Sequence, residues 1–333
     1  MKVIFVGVFY FEGQVKHLYR IFTIYKALAN AFKSVGIEVK FFAKQNEILP
    51  LQDTLTEEMF YKELPQADLV FMWNGNLPPE LKIAEQCKEL GIPVYFSELG
   101  WLPQNGTFYF DFKGVNYKSS IADWEYKQAL CRKKQIEVNN NISYYHKVIA
   151  KTTAVNAPSG DFVFVPFQVE SDSQIIKHSS RIKKMQQLVD YVSSFIKGKI
   201  VFKTHPKHSI QGIEIPKNCE LVGNDSATHD FLPKCKYVVT INSTVGVEAL
   251  TYHKPIITLG EAFYGGRQLT YNVTDDKTMR NAVAWAEKGR AAVGAIDAFL
   301  HYLFKRQWYS SDLNNSERIF ELIENVTTLK AEE

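Results

Sequence analysis

The sequence has few cysteines and no apolar run long enough to cross a membrane. Its four cysteines are far apart and form no CxxC pair, which excludes a disulfide framework and a cysteine-based zinc site. This usage favours a reduced, cytosolic protein. The apolar stretches fall short of the roughly 18 to 20 residues of a spanning helix, so we expect any membrane contact to be peripheral. The opening run MKVIFVGVFYF is interpreted as a buried strand, because it lacks a signal-peptide cleavage site.

The sequence also has little net charge and no DxD motif. A formal charge of +3 over 333 residues does not indicate nucleic-acid binding. Without a DxD motif, nothing in the sequence demands a metal ion, and we expect no metal cofactor. The hydrophobic content of 46% is ordinary for a globular protein and excludes disorder. The length exceeds what one hydrophobic core usually serves, which predicts two domains.

Strands and helices alternate in both halves of the chain, a pattern typical of two Rossmann-like α/β domains with parallel sheets. In the first half the predicted strands are 2–8, 38–42, 69–73 and 93–96, with helices over 15–34, 56–64 and 79–90. Residues 101–120 are interpreted as a loop, and a helix is predicted over 123–138. The turn-forming residues 156–160 indicate a linker, so we place the domain boundary at 158, giving an N-terminal domain over 1–158 and a C-terminal domain over 159–333.

The second half repeats this pattern and then ends in helices. Strands are predicted at 162–166, 200–203, 220–222, 237–241 and 255–259, and helices at 181–196, 245–252, 277–288, 291–306 and 317–329. In such folds ligands bind at the carboxyl ends of the strands. Residues that directly follow strands are therefore the candidates for a site.

A cluster of polar residues follows the first strand of the second half. The segment Pro166 to Ile175 contains Gln168, Glu170, Asp172 and Ser173. Two nearby carboxylates suit glycosyl transfer, in which one acts as the nucleophile. The alternative is a polar turn in which Asp172 caps the next helix.

Basic residues follow the next strand. Lys203, His205, Lys207 and His208 lie in the run KTHPKHS and offer donors to a phosphate or carboxylate. A histidine after a strand is often only packed there. Two lysines and a turn-fixing proline favour the binding function.

The run INSTVGVEAL combines a strand end, Ser243 and Thr244, and a helix that carries Glu248. A helix start presents unpaired N–H groups and the positive end of its dipole, which suits a phosphate. Simple capping by Ser243 is the alternative, and both can hold.

Two further segments carry candidates. The run GEAFYGGRQLT follows another strand and contains Tyr264 and Arg267 beside glycines that allow close backbone approach. In the first half, Glu98 ends the fourth strand and could act as an acid or base. The alternative for the glycine-containing run is a simple turn. The alternative for Glu98 is a solvated acid in a loop.

In order along the chain, these segments resemble the bacterial retaining β-Kdo transferases of capsule and lipopolysaccharide assembly. The resemblance covers about residues 94–270 and rests on the runs SELGWLPQ, FVPFQVESDSQI, KTHP, INSTVGVEALTYHKP and GEAFYGGRQLT. It implies two GT-B-like domains facing across a cleft, with CMP-β-Kdo as donor and a glycan as acceptor. Several relatives carry additional transferase modules, which leaves the acceptor undefined.

The resemblance also implies a catalytic role for three residues. Asp172 would be the nucleophile that forms a glycosyl-enzyme adduct, and Glu98 the acid/base for the acceptor hydroxyl. His205 would lie near the charged groups of the donor.

The remaining candidates are implied to bind substrate. Ser243 and Thr244 would hold the CMP phosphate, with Lys203 nearby, and Glu248 would contact the ribose. Tyr264 or Arg267 would contact cytidine or the Kdo carboxylate.

Three alternatives remain open at this stage. The chain could use another CMP- or CDP-linked donor, as a sialyl- or glycerophosphotransferase does, or act as a non-catalytic glycan-binding partner of an export complex. Basic and aromatic residues at 132–134 and 304–309 are interpreted as solvated helix faces. The alternative is that they contact an anionic membrane surface or a lipid-linked acceptor.

Overall fold

The structure is a computed structural model of the chain. It describes residues 1–7, 15–43, 53–150, 161–206, 212–223 and 225–331. The described residues form two compact units. Unit 1 comprises residues 1–100, 104–115 and 307–333, and unit 2 comprises residues 101–103 and 116–306.

Strands and helices alternate along the chain up to residue 149. In order they are β1 (Lys2–Val6), α1 (Val15–Ser34), β2 (Glu38–Phe42), β3 (Thr54–Leu55), α2 (Glu57–Glu63), β4 (Leu69–Trp73), α3 (Glu80–Glu89), β5 (Val94–Leu99), β6 (Thr107–Asp111) and α4 (Arg132–Ile149).

The alternation continues in the rest of the chain. The elements are β7 (Phe162–Pro166), α5 (Ser173–His178), α6 (Met185–Phe195), β8 (Lys199–Lys203), β9 (Cys219–Val222), β10 (Tyr237–Thr240), α7 (Val245–Leu250), β11 (Ile256–Thr258), β12 (Tyr271–Asn272), α8 (Asp276–Ala286), α9 (Val293–Arg306), β13 (Trp308–Tyr309) and α10 (Ser316–Ala331).

Unit 1 contains a seven-stranded sheet in the order β13-β6-β5-β4-β1-β2-β3. The five strands β1 to β5 pair in parallel, and β6 and β13 add antiparallel strands at one edge. Its core is rich in aromatic rings, with Phe5 packed against Tyr25, Phe41 and Phe71. Side chains of α10 complete this core, which ties the end of the chain to unit 1.

Unit 2 contains a six-stranded parallel sheet in the order β12-β11-β10-β7-β8-β9. Numbered from its own first strand, the order is 3-2-1-4-5-6, that of dinucleotide-binding domains. The topological switch point therefore lies between β7 and β10. Both strands are buried along their whole length and are apolar except for Thr240 at the end of β10, as expected for a parallel sheet covered by helices on both faces.

The predicted α/β class with two Rossmann-like domains is confirmed, and most predicted elements lie within a few residues of their predicted bounds. The interpretation of residues 101–120 as a loop is wrong in part, because β6 lies within it and pairs with β5. The helix predicted over 123–138 instead begins at Arg132 and continues to Ile149. A short 3-10 helix over Ser120–Asp123 precedes it, and the Arg267 guanidinium binds the carbonyl oxygens of Ala122 and Trp124.

The compact units group the chain differently from the predicted domains. Helix α4 packs on α9 and belongs to unit 2, whereas the residues from 307 onward belong to unit 1. The predicted boundary at residue 158 and the linker 156–160 lie outside the described residues.

Candidate functional site

Two buried amides pair at the switch point of unit 2. Gln168 follows β7, and its Nε2 donates to Oδ1 of Asn242, which follows β10, at 2.9 Å. In return the backbone N–H of Asn242 donates to Oε1 of Gln168 at 3.1 Å. The pair fixes two strand-end loops to each other at the place where open α/β sheets bind their ligands.

A chain of hydrogen bonds leads from this pair to Asp172. Nδ2 of Asn242 donates to the carbonyl oxygen of Gln174 at 2.9 Å, and the backbone N–H of Gln174 donates to Oδ1 of Asp172 at 2.8 Å. The capping interpretation of Asp172 is thus confirmed, since it is the N-cap of α5. Its side chain is exposed, and Ser173 beside it is buried. A cap leaves a carboxylate fixed in orientation, which also suits a nucleophile.

The loop between β10 and α7 holds two hydroxyl groups at the start of a short helix. The Ser243 hydroxyl accepts from the backbone N–H of Val245 at 3.2 Å, and Thr244 is the N-cap residue of α7. Both side chains are half-buried. The predicted helix start is confirmed. Capping by Ser243 is wrong in position, because the N-cap is Thr244 and Ser243 lies one residue before it, where its hydroxyl accepts from the first N–H of the helix.

Tyr264 lies beneath this helix start and has no exposed surface. Its hydroxyl donates to the carbonyl oxygen of Ser243. A Cβ added to Gly246 would lie 2.3 Å from that hydroxyl, so only glycine fits there. The structure therefore gives Tyr264 a position that supports the Ser243 loop, and its predicted ligand contact stays a prediction.

Lys203 ends β8, and its side chain is buried. Its ammonium donates to the carbonyl oxygen of Gly223 at 3.2 Å. Burial lowers the pKa of Lys203, and the charges of Asp225 and Asp230 oppose that shift. His205, two residues on, is half-buried. Lys207 and His208 lie outside the described residues.

Glu248 lies in α7 within a cluster of titratable side chains. Its Oε2 is 3.6 Å from Nδ1 of His229, and burial raises the pKa of Glu248 to about 8. Burial lowers the pKa of His229 to about 4. From α4, the ring of Tyr145 meets His229 edge-on, and His146 stacks on Tyr252. Burial therefore favours the neutral form of each group.

Two other predicted binding residues have internal partners. Oε1 of Glu170 accepts from the backbone N–H of Met185 at 2.8 Å, and Oε2 pairs with Lys184 at 2.9 Å, at the start of α6. The Arg267 guanidinium donates to carbonyl oxygens in its own loop and in residues 121–124. Both side chains hold loops of the site, and direct contact with a ligand stays a prediction for each.

Glu98 belongs to unit 1 and lies at the end of β5. Its Oε2 accepts from Nδ2 of Asn74, and its Oε1 accepts from the backbone N–H of Leu99 at 2.9 Å. Asn74 begins the turn after β4, and a Cβ at the next residue, Gly75, would lie 2.6 Å from the ring of Phe96. The carboxylate is thus oriented by a turn that requires glycine.

The sequence prediction missed several residues that build the site. Asn242 lies inside the predicted run INSTVGVEAL, and its position directly after a buried strand is the signal that could have identified it. Asn74 occurs in the run NGN, which indicates a turn. The buried His178 pairs through Nδ1 with Oε2 of Glu261 at 3.0 Å, and no local pattern indicates this contact.

The chain is an α/β protein with two Rossmann-like units. Carboxylates, hydroxyls and an ammonium group lie at its strand ends, where proteins of this class bind ligands. The chain belongs to the capsule polysaccharide biosynthesis protein family, whose model matches residues 104–310.

Two curated relatives come from bacteria. Protein FixF of Sinorhizobium fredii is 34% identical over 245 residues, which cover 70% of this chain and 58% of FixF. The capsule polysaccharide export protein KpsS of Escherichia coli is 26% identical over 235 residues, covering 64% of this chain and 55% of KpsS. The chain thus spans little more than half the length of these relatives.

Two solved structures share the fold. Both are of KpsC from Thermosulfurimonas dismutans. The beta Kdo 2,7 transferase has a TM-score of 0.62 and 18% identity, with 96% of this chain and 98% of that chain covered. The beta Kdo 2,4 transferase has a TM-score of 0.59 and 16% identity, with 89% of each chain covered. The predicted resemblance to the Kdo transferases is confirmed at the level of family and fold.

The described residues contain no group of three or more His, Cys, Asp or Glu side chains arranged to hold a metal ion. Within the same ranges, no helix combines the length and apolarity needed to span a bilayer. A reaction without metal stays a prediction.

Proposed function

We propose that the chain is a glycosyltransferase of surface polysaccharide synthesis that transfers Kdo from CMP-β-Kdo to a glycan acceptor with retention. The observation that carries the proposal is the chain of hydrogen bonds from Asp172 through Gln174 to Asn242, next to Ser243. It places a fixed carboxylate on the same strand-end framework as the hydroxyls proposed to hold the phosphate. Membership of the capsule polysaccharide family and the fold of the KpsC transferases support it.

In the first step, Asp172 attacks the anomeric carbon of Kdo. The bond from this carbon to the CMP phosphate oxygen breaks, and its electron pair leaves with CMP. The transition state resembles an oxocarbenium ion, which an adjacent carboxylate stabilises. The product is a Kdo ester of Asp172.

In the second step, Glu98 takes the proton of the acceptor hydroxyl, whose oxygen attacks the anomeric carbon and displaces Asp172. Two displacements restore the original configuration. Asn74 would act as a positioning residue, because it binds one oxygen of Glu98 and leaves its orientation fixed.

The leaving group carries one phosphate, which a few donors can neutralise. Ser243 and Thr244 supply hydroxyls and the start of α7, and Lys203 and His205 supply further donors. Because α7 has only six residues, the side chains must provide most of this stabilisation. Glu248 accepts hydrogen bonds from the ribose hydroxyls.

An intact-mass experiment tests the proposal. The protein is incubated with CMP-Kdo generated in situ, and we expect an adduct of one Kdo that maps to Asp172. Asp172→Asn keeps a good N-cap but cannot form the ester, so the adduct should disappear while the fold persists. A CMP-sialic acid arm tests the alternative donor.

Asp275 provides the matched control, because it is also an aspartate that caps a helix, α8. Asp275→Asn should form the adduct as the wild type does. An adduct that persists in Asp172→Asn, or no adduct and no product with any glycan acceptor tried, would refute the mechanism.

A further inference from the structure

Unit 2 has a surface cavity that the proposed reaction does not use. Its volume is about 660 Å³, within the range of roughly 300 to 1,000 Å³ typical of ligand sites. It lies between the irregular segment before α4, the first turn of α4, and α9. Its lining includes Asp123, Trp124, Glu125, Lys127, Lys134 and Tyr302.

The lining combines aromatic rings with charges of both signs. Trp124 packs against Phe299 at 5.0 Å between ring centroids and lies 6.4 Å from Tyr302. Two carboxylates are balanced by the ammonium groups of Lys127 and Lys134, and Gln128 adds an amide.

This chemistry selects among ligand classes. A phosphate would meet two carboxylates, and an acyl chain would have to desolvate four charged groups. A sugar chain fits both features, because its C–H faces pack on aromatic rings and its hydroxyls pair with carboxylates, amides and ammonium groups. The volume accommodates more than one sugar ring.

The wall of the cavity is bonded to the strand-end loop of the candidate site. The Arg267 guanidinium donates to the carbonyl oxygens of Ala122 and Trp124, and the latter contact measures 3.1 Å. Arg267 lies in the loop after β11, whose Tyr264 supports Ser243. The charges of Asp123 and Glu125 also act on Arg267, where they oppose the lowering of its pKa by burial.

We propose that this cavity is a glycan-binding subsite that holds sugars of the acceptor chain away from its reacting end. The proposal rests on the proposed function for the identity of that glycan. The subsite retains the acceptor chain, and Arg267 links its wall to the loop that supports the phosphate-binding residues.

Cys131 is a built-in probe, because it is exposed and lines the cavity. Its alkylation by iodoacetamide can be followed by peptide mass spectrometry with deacylated lipopolysaccharide core oligosaccharide, maltoheptaose or CMP present. We expect at least one oligosaccharide to slow alkylation of Cys131 about tenfold at saturation. The half-buried Cys219, on β9, is the internal reference and should react at an unchanged rate.

Adjacent lysines on α4 give matched variants. Lys134 lines the cavity and Lys133 does not, and both are exposed. Lys134→Glu should raise the oligosaccharide concentration that gives half-maximal protection of Cys131 about tenfold. Lys133→Glu should leave this concentration unchanged. Neither residue belongs to the proposed catalytic site, so adduct formation with CMP-Kdo should be normal in both.

The outcomes separate this inference from the proposed function. The subsite is overturned if CMP protects Cys131, or if no oligosaccharide protects it at millimolar concentration. Either result counts even if the Kdo adduct forms. Protection by an oligosaccharide with neither a Kdo adduct nor a transfer product supports the glycan subsite and refutes the proposed transfer.

Discussion

At the scale of single residues, Asn242 joins the loop after β10 to the loop after β7 and to helix α5. Asn242→Ala would remove the partners of the Gln168 amide and of the Gln174 carbonyl oxygen in a buried environment. Unpartnered buried groups cost about 1 to 3 kcal/mol each, so we expect a loss of about 3 kcal/mol in the free energy of unfolding of unit 2. Urea unfolding followed by near-UV circular dichroism measures it.

Asn139 gives the control for this prediction, since it is an exposed asparagine on α4 that accepts one hydrogen bond from Gln135. Asn139→Ala should change the free energy of unfolding by less than about 0.5 kcal/mol. Equal effects of the two substitutions would contradict the role of Asn242.

The raised pKa of Glu248 predicts that the stability of the protein depends on pH. Its pKa is raised to about 8 in the folded state from the usual 4.5, so the folded state binds more protons than the unfolded state between these values. Stability should fall as pH rises through 8. Below pH 6.5 His229 opposes this, because burial lowers its pKa to about 4 and its proton is then bound mainly in the unfolded state.

The window from pH 6.5 to 9 therefore isolates Glu248. Between these limits the wild type should lose about 1 to 2 kcal/mol of stability relative to Glu248→Gln, which cannot ionise. Urea unfolding of both proteins at the two pH values measures the difference. A parallel pH response of the two proteins would show that Glu248 ionises alike in the folded and unfolded states.

At the scale of elements, the close packing of α7 on Tyr264 depends on Gly246. In Gly246→Ala the new methyl group would lie 2.3 to 2.6 Å from atoms of the Tyr264 side chain, which is fully buried and cannot move aside cheaply. We expect a loss of about 1 to 3 kcal/mol in the free energy of unfolding, together with weaker CMP binding because the Ser243 loop shifts. Urea unfolding and calorimetric titration with CMP measure the two effects.

Gly198 is the matched position, because a Cβ there meets nothing within 4 Å. Gly198→Ala should leave CMP binding unchanged and stability within about 0.5 kcal/mol. If both alanine variants bind CMP as the wild type does, α7 does not contribute to the phosphate site.

The elements also show what local sequence patterns can predict. Buried apolar runs in the sequence identified strands β7, β8 and β10. They thereby also identified the carboxyl ends of these strands, where the candidate residues cluster. The Gln168–Asn242 pair was missed because it joins residues 74 positions apart, which no periodicity encodes. Strand β13 was missed for the same reason, since its two residues become a strand only by pairing with β6, about 200 residues earlier.

The arrangement of α4 shows a similar limit. Its apolar spacing predicted a helix, but its start was placed about nine residues early. Residues 120–123 form a short 3-10 helix instead, and Arg267, from a distant loop, binds the carbonyl oxygens of residues 121, 122 and 124, a contact that no local pattern encodes. Roles of individual residues were reached through family resemblance, because a carboxylate after a strand is a cap or a nucleophile by local pattern alone.

At the scale of the whole molecule, the chain returns to unit 1 after completing unit 2. Strand β13 pairs with β6, and Ile319, Leu322 and Ile323 of α10 are buried in the same core as Phe5 and Phe71. The sheet of unit 2 and its core are built without residues beyond Arg306. Removal of the last segment should therefore affect the two units unequally.

We expect a variant ending at Arg306 to lose the fold of unit 1 and keep that of unit 2. Loss of three buried aliphatic side chains and Trp308 costs at least 2 kcal/mol each, which together equals the stability of a typical domain. Hydrogen exchange followed by mass spectrometry should show lost protection in β1 and β4 and retained protection in β7 and β10.

The variant should still bind CMP, since the phosphate and ribose contacts are proposed within unit 2, but should form no transfer product, because Glu98 belongs to unit 1. Equal loss of protection in both sheets would show that unit 2 depends on unit 1 for its stability, and full protection in both would show that α10 contributes little to the core it completes.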